Sequence, residues 1–235
     1  MRSILKLMGL DLPCPDHTTI SRRNQSVEVG KQLAGVPPGP VSFIVDSTGL
    51  KVFGQGEWHS RKHGKKQRRK WMKLHIGVDD QGWILASKIT DGHTQDPGLV
   101  PDLLDQCEGK IDTFVADGIY DQADVYKVVQ AHSRKAKIVI PPRKNAIISG
   151  DHGESKTQRN EHIERIHDEG HFKWKRFSGY YKQSHAENAF ARYKQIFGGR
   201  LHAKRNDSRE KETKIACDIL NRMISLGSPD SYPIT

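Results

Sequence analysis

The apolar residues of this chain are concentrated in short runs, and this feature restricts the fold more than any other. Residues 41–45, 114–116 and 138–140 are β-rich runs, whereas residues 71–78 alternate apolar with polar side chains, as a half-buried strand does. None of these runs approaches the roughly 18 apolar residues that a membrane span needs. We therefore expect a sheet with covering helices, and no membrane-spanning segment.

The order of the elements predicts how the sheet is built. Residues 71–89 are typical of an antiparallel hairpin, and strands then alternate with helices as far as residue 140. Helical periodicity marks residues 97–107, 125–132, 160–167, 184–197 and about 211–226. The rest of residues 143–178 is predicted to be loop. The expected fold class is α/β, with a mixed sheet covered by helices on both faces.

Charge is distributed unevenly along the chain, which carries 38 Lys and Arg against 28 Asp and Glu, or +10. Residues 51–75 hold nine basic residues and one acid, residues 76–130 hold eleven acids and three bases, and residues 131–235 are basic again. Such a surplus points to a polyanionic partner, with nucleic acid first. Basic flanks around clustered carboxylates suit an enzyme that binds phosphates and metal ions.

Three carboxylates lie at positions where a ligand could reach them. Asp46 and Asp117 each follow a buried apolar strand, and Glu187 lies near the start of a late helix. If the two strands are neighbours, their carboxylates meet at one edge of the sheet. Such acids would repel one another unless cations neutralise them, and Mg²⁺ or Mn²⁺ prefers oxygen ligands. Asp91 and Asp96, by contrast, are interpreted as turn and helix-capping residues.

The same residues resemble the motifs of insertion-sequence transposases of the DDE superfamily. Tyr180, Glu187 and Lys194 match the spacing of the signature Tyr-x2-Arg-x3-Glu-x6-Lys, and the blocks 45–52 and 116–121 resemble the two aspartate blocks. The resemblance extends over roughly residues 11–230. It implies a ribonuclease-H-like fold in which Asp46, Asp117 and Glu187 bind two Mg²⁺ (or Mn²⁺) ions, while Tyr180 and Lys194 hold donor DNA.

The chain departs from that family pattern in two places. Gln183 stands where the signature has Arg, so a phosphate contact there would carry no charge. Residues 18–23 resemble the closing helix of the family's N-terminal DNA-binding region, which is otherwise short here. We therefore expect residues 1–35 to be a remnant of that region, followed by a catalytic domain over 40–228 and a tail over 229–235. Such a shortened copy would be impaired in finding its own DNA ends.

Contacts with DNA are expected from the signature residues and from two basic segments. The basic loop between the tryptophans at 58 and 71 is favoured as a backbone-binding element over a merely solvated run of charge. The expected DNA-binding residues are Tyr180, Gln183, Lys194, Arg61, Lys62, Lys65, Lys66, Arg68, Arg69, Lys70, Lys73, Arg22 and Arg23.

Together these observations predict a metal-dependent transposase that cleaves double-stranded DNA and transfers the strands of insertion-sequence ends. The alternatives are a nuclease of the same fold that cuts without joining, and a non-catalytic DNA-binding remnant. The resemblance further implies a homodimer on DNA and a cytoplasmic protein associated with the bacterial nucleoid.

Overall fold

The fold is organised around one mixed sheet, seen in a computed structural model that describes residues 2–26, 39–52, 70–148 and 157–227. The strands of this part of the chain are β1 (Val41–Val52), β2 (Trp71–Val78), β3 (Ile84–Asp91), β4 (Ile111–Ala116), β5 (Lys137–Val139) and β6 (Arg200–Leu201). Their order is β3-β2-β1-β4-β5, and β6 pairs with the end of β1. The predicted α/β fold with a mixed sheet is confirmed.

The long strand β1 lies at the centre of the sheet and has neighbours of both orientations. It pairs antiparallel with β2 along most of its length and parallel with β4 in its first half. The predicted hairpin is present, because β2 pairs antiparallel with β3. Since β1 and β4 run in the same direction, the residues that follow their parallel segment lie at the same edge of the sheet.

The described residues also form eight α-helices, of which those after residue 99 flank the sheet. They are α1 (Arg2–Leu7), α2 (His17–Ser26), α3 (Val100–Leu104), α4 (Ala123–His132), α5 (Gln158–Glu169), α6 (His171–Ser178), α7 (Ser184–Phe197) and α8 (Asn206–Ser225). Short 3-10 helices cover Asp96–Leu99, Gly118–Tyr120 and Tyr180–Gln183. No helix of the described residues is long and apolar enough to cross a membrane.

Three elements differ from the sequence prediction. Residues 41–45 were predicted to form a short strand that ends at Asp46, but β1 continues to Val52 because it pairs with β2 as far as Lys51, so Asp46 lies within the strand. Helix α6 lies in a segment predicted to be loop, because it buries only Trp174 and Ser178 and so shows no apolar periodicity. Strand β6 is only two residues long, which is too short to give a pattern. Helix α7, in contrast, has the predicted bounds because its buried residues recur at helical spacing.

Alternate residues of the strands face two separate cores. On one face, Phe43 stacks against Phe114 with ring centroids 6.3 Å apart, beneath α3 and α4. On the other face, Ile44 and Val115 pack with Trp174 and with the buried sides of α7 and α8. The sheet is therefore held between two helical layers, which leaves its carboxyl edge as the place where polar side chains can gather.

One buried amide fastens the last helix to the sheet. Asn221 on α8 accepts a hydrogen bond from the backbone nitrogen of Ile84 and donates one to its carbonyl oxygen, both at 2.8 Å. These two bonds satisfy a backbone donor and acceptor that β2 does not use at this point, where the pairing shifts its register.

A close approach inside the sheet gives a test of this packing. A Cβ atom at Gly77 would lie 2.3 Å from Cζ of Phe43, whose ring is fully buried. We expect Gly77→Ala to lower the free energy of unfolding by about 1–3 kcal/mol, because the ring cannot move without disturbing the core. Urea denaturation measures this change. Gly98→Ala is the control, since nothing lies within 4 Å of its Cβ position, and equal stability of both variants would contradict the packing.

Candidate active site

The pairing of β1 with β4 places two of the predicted site carboxylates on neighbouring parts of the sheet. Val45 and Ala116 are the last partners in the parallel register, so the next residues are neighbours at the same place in the sheet: Asp46 continues β1, whereas Asp117 directly follows β4. Both side chains are half-buried.

Each aspartate is oriented by the backbone that follows it. The Oδ1 atom of Asp46 accepts a hydrogen bond from the backbone nitrogen of Ser47 at 2.8 Å. The Oδ1 atom of Asp117 accepts one from Ile119 at 2.9 Å and thereby caps the 3-10 helix that begins at Gly118. One oxygen of each carboxylate is thus fixed, which sets the direction of the other oxygen.

The third predicted carboxylate, Glu187, is exposed on the first turn of α7. Its charge reaches the strand ends, because burial together with the charges of Asp117, Glu187 and Asp96 raises the pKa of Asp46 to about 6. Burial and the charge of Asp96 likewise raise the pKa of Asp117 above its ordinary value. The structure therefore places Asp46 within electrostatic reach of both Asp117 and Glu187.

The donor chemistry of this edge suits a hard divalent cation. All of the groups concerned are carboxylate oxygens, and their mutual repulsion is relieved when positive charge enters. Within the described residues, however, no three His, Cys, Asp or Glu side chains form a group that could by itself hold a metal ion.

A fourth carboxylate, Asp96, belongs to the same region, although the sequence led us to interpret it as a capping residue. Its buried side chain accepts a hydrogen bond from the Ser47 hydroxyl at 2.7 Å and forms an ion pair with Lys73 at 2.7 Å. Because Ser47 adjoins Asp46, Asp96 anchors the part of β1 that carries the first site aspartate. The only signal in the sequence was an Asp before Pro97, which is equally typical of a helix start.

Lys73 is also placed differently from the expectation. It was predicted to contact DNA, but its Nζ atom donates to Asp96 and to the carbonyl oxygen of Thr94 at 3.0 Å. A lysine held in this way compensates the charge of the buried carboxylate.

Two side chains of the signature segment connect α7 and the 3-10 helix before it to β1. Lys194 donates from Nζ to the Thr48 hydroxyl at 2.7 Å, two residues beyond Asp46. Gln183 is buried and donates from its amide to the carbonyl oxygen of Val45 at 3.2 Å. This placement differs from the phosphate contact expected of Gln183, since the amide is directed into the protein and fixes the residue that precedes Asp46.

Two tyrosines lie close to the carboxylates. Burial and the charges of Asp117, Asp46 and Glu187 raise the pKa of Tyr180 to about 12. Tyr120 is buried, and its hydroxyl has no hydrogen-bond partner among the described residues. Burial and the charges of Asp96, Asp46 and Asp117 raise the pKa of Tyr120 as well. Both phenols therefore remain protonated donors, and the sequence analysis did not single out Tyr120.

The remaining predicted DNA contacts fall into two groups. Arg22 and Arg23 are exposed on α2, and Lys70 is exposed immediately before β2. The other basic-loop residues lie outside the described part of the chain; they are Arg61, Lys62, Lys65, Lys66, Arg68 and Arg69.

Comparison with known protein families gives two matches. A family model described as a transposase DDE domain matches residues 37–221, which is more than half of the chain and includes Asp46, Asp117 and Glu187. A second family model with the same description matches residues 1–55.

Burial, together with charge repulsion at this edge, predicts that Asp46 weakens the fold at neutral pH. A pKa of about 6 in the folded protein, against 3.8 ordinarily, means that the folded state loses stability as the pH rises from about 4 to above 6. We expect Asp46→Asn to raise the free energy of unfolding at pH 8 by about 1–3 kcal/mol without metal ions, toward the lower end because solvent screens the site.

The measurement is urea unfolding at pH 8 and pH 3.5 in the presence of a chelator. At pH 3.5 the gain should nearly vanish, because Asp46 is then mostly protonated in both states. Asp112→Asn, at an exposed position of β4, controls for the loss of one surface charge. A variant that is less stable than the wild type at every pH would contradict the prediction that Asp46 destabilises the fold.

Proposed function

Because this chain belongs to the family of transposase DDE domains, we propose that it cleaves and joins DNA at the ends of an insertion sequence. The observation that carries the proposal is the position of Asp46 and Asp117 directly after the segment in which β1 and β4 pair in parallel, with Asp46 within electrostatic reach of Glu187. The family is metal-dependent. Asp46, Asp117 and Glu187 are the residues that we propose to bind two Mg²⁺ or Mn²⁺ ions.

Metal ions at such a carboxylate site stabilise the attacking and leaving oxygens of a phosphodiester. In the proposed cleavage step, a water oxygen forms a bond to phosphorus, and the 3′-oxygen leaves and takes up a proton. In the proposed joining step, that 3′-hydroxyl attacks a phosphodiester of the target DNA and displaces another 3′-oxygen. Both steps are in-line displacements, so neither requires a covalent bond to the protein.

The protein's own side chains would position the DNA for these steps. Tyr180 keeps its proton and is half-buried beside the carboxylates, so its hydroxyl can donate to a phosphate oxygen. Lys194 is exposed, and its bond to Thr48 holds a positive charge on β1, two residues beyond Asp46. These two residues offset the repulsion between the site carboxylates and the DNA backbone.

Double-stranded DNA is the proposed substrate, and the net charge of +10 favours its approach. Because two ends of an insertion sequence must be held together, we propose that the chain acts as a homodimer on DNA. Such a protein would work at the nucleoid in the bacterial cytoplasm.

The first test replaces Glu187. Loss of a residue that only orients a metal ligand lowers activity by roughly 10- to 100-fold. We expect Glu187→Gln to lower metal-dependent cleavage of a supercoiled plasmid by more than this, because Glu187 is proposed to bind the metal itself. DNA binding should change by less than about twofold, since only one charge is altered. Glu161→Gln, at an exposed position of α5, is the matched control. Normal cleavage by Glu187→Gln would show that Glu187 is not part of the site. A separate assay for strand-transfer products of the wild type distinguishes a transposase from a nuclease.

The second test concerns the basic loop. Each phosphate contact adds about −0.9 to the slope of log K against log salt for duplex DNA. Replacing Arg61, Lys62, Lys65 and Lys66 with Gln should therefore flatten the slope by up to about 3.6, equally for random DNA and for terminal-repeat DNA. Fluorescence anisotropy at several salt concentrations gives the slope. An unchanged slope would mean that these charges are only solvated.

A further inference from the structure

Helix α6 and the turn that follows it expose large aromatic side chains to solvent. Phe172 is 81% exposed, Phe177 is 63% exposed, and Tyr181 is 68% exposed. The helix is anchored from its opposite side, where Trp174 is fully buried and donates from its indole nitrogen to Nδ1 of His162 at 3.0 Å. The anchored helix therefore holds Phe172 and Phe177 outward, away from either core.

Cations lie among these rings. Phe172 and Arg176 are four residues apart on α6, as are Lys173 and Phe177, so each ring has a cation as its neighbour on the helix surface. Residues 171–186 contain four Lys and Arg and no Asp or Glu. Within the residues that the structure describes, none of the three helix cations Lys173, Lys175 and Arg176 forms an ion pair.

This surface is continuous with the candidate active site. The ring of Tyr180 lies 5.6 Å from that of Trp174, and the Nζ atom of Lys175 lies 5.4 Å from the centre of the Tyr180 ring. Burial and the charges of Asp117 and Asp46 in turn raise the pKa of Tyr180. A DNA strand that reaches the carboxylates thus passes close to α6.

We propose that Phe172, Phe177 and Tyr181, with Lys173 and Arg176, form a surface that binds unpaired nucleotides of the DNA strand entering the site. The proposal rests on the proposed function for its partner. Exposed rings between cations are what a single strand requires, because its bases stack on the rings while its phosphates meet the cations. An intact duplex keeps its base faces covered and so has nothing to stack on these rings.

A second copy of the chain fits this surface less well. A symmetric contact would bring the same surface of both copies together. The cations of the two copies would then face each other with no acidic residue between them. The rings are also separated by charged side chains, whereas the core of a protein interface is depleted of charge.

The experiment compares two labelled DNAs of one sequence, a fully paired duplex and the same duplex with four unpaired nucleotides at one end. Binding is measured by anisotropy without divalent ions, so that no cleavage occurs. We expect the wild type to prefer the splayed DNA. In Phe172→Ala/Phe177→Ala the affinity for splayed DNA should fall by about tenfold or more, since stacking of one base is worth roughly 5- to 150-fold. Affinity for the duplex should change by less than about twofold.

Two matched variants complete the design. Phe172→Trp/Phe177→Trp should retain the preference, because an indole ring also stacks. Leu226→Ala removes an exposed apolar side chain elsewhere and should leave both affinities unchanged. An equal loss for both DNAs, no loss for either, or a change of oligomeric state by light scattering with DNA binding intact would each overturn the proposal. Plasmid cleavage by the wild type is scored separately, so a protein that prefers splayed DNA without cutting would contradict only the proposed function.

Discussion

The parallel pairing of β1 with β4 is the constraint on which the candidate site depends. It places Val45 opposite Ala116 and therefore brings Asp46 and Asp117 to one edge, although 70 residues separate them in the chain. The two helical layers bury both faces of the sheet, so this edge is where carboxylates can remain in contact with solvent. The site is thus a consequence of strand direction and does not require a dedicated loop.

Repulsion between neighbouring carboxylates is the second physical feature of this edge, and other side chains compensate it only in part. Lys73 neutralises Asp96, but Asp46 keeps a raised pKa because it is half-buried near several acids. Lys194 on α7 and Gln183 in the 3-10 helix before it supply hydrogen bonds to β1, and Lys194 adds one positive charge close to it. The uncompensated charge makes the edge receptive to cations, while it costs the fold stability at neutral pH.

The sequence was sufficient for the sheet, because strands and helices with buried faces leave apolar periodicity that can be recognised without a structure. It was insufficient for α6, whose attachment through Trp174 and Ser178 leaves no such pattern. For the candidate site, Asp46 and Asp117 could be predicted from the apolar runs that precede them, although β1 continues beyond Asp46. Asp96 and Tyr120 could not, since their proximity to Asp46 arises from long-range packing and neither stands in a distinctive local pattern.

The position of Gln183 shows that a residue can match the spacing of a family motif without having the role that the motif implies. The residue stands where the resembling family has Arg, yet its buried amide donates to Val45, one residue before Asp46. The Oε1 atom has no partner among the described residues, so the side chain makes one bond where it could make more. A phosphate contact would require Gln183 to give up that bond and leave the interior. In this conformation its contribution is to hold β1, and any cationic contact with DNA must come from neighbouring residues such as Lys194.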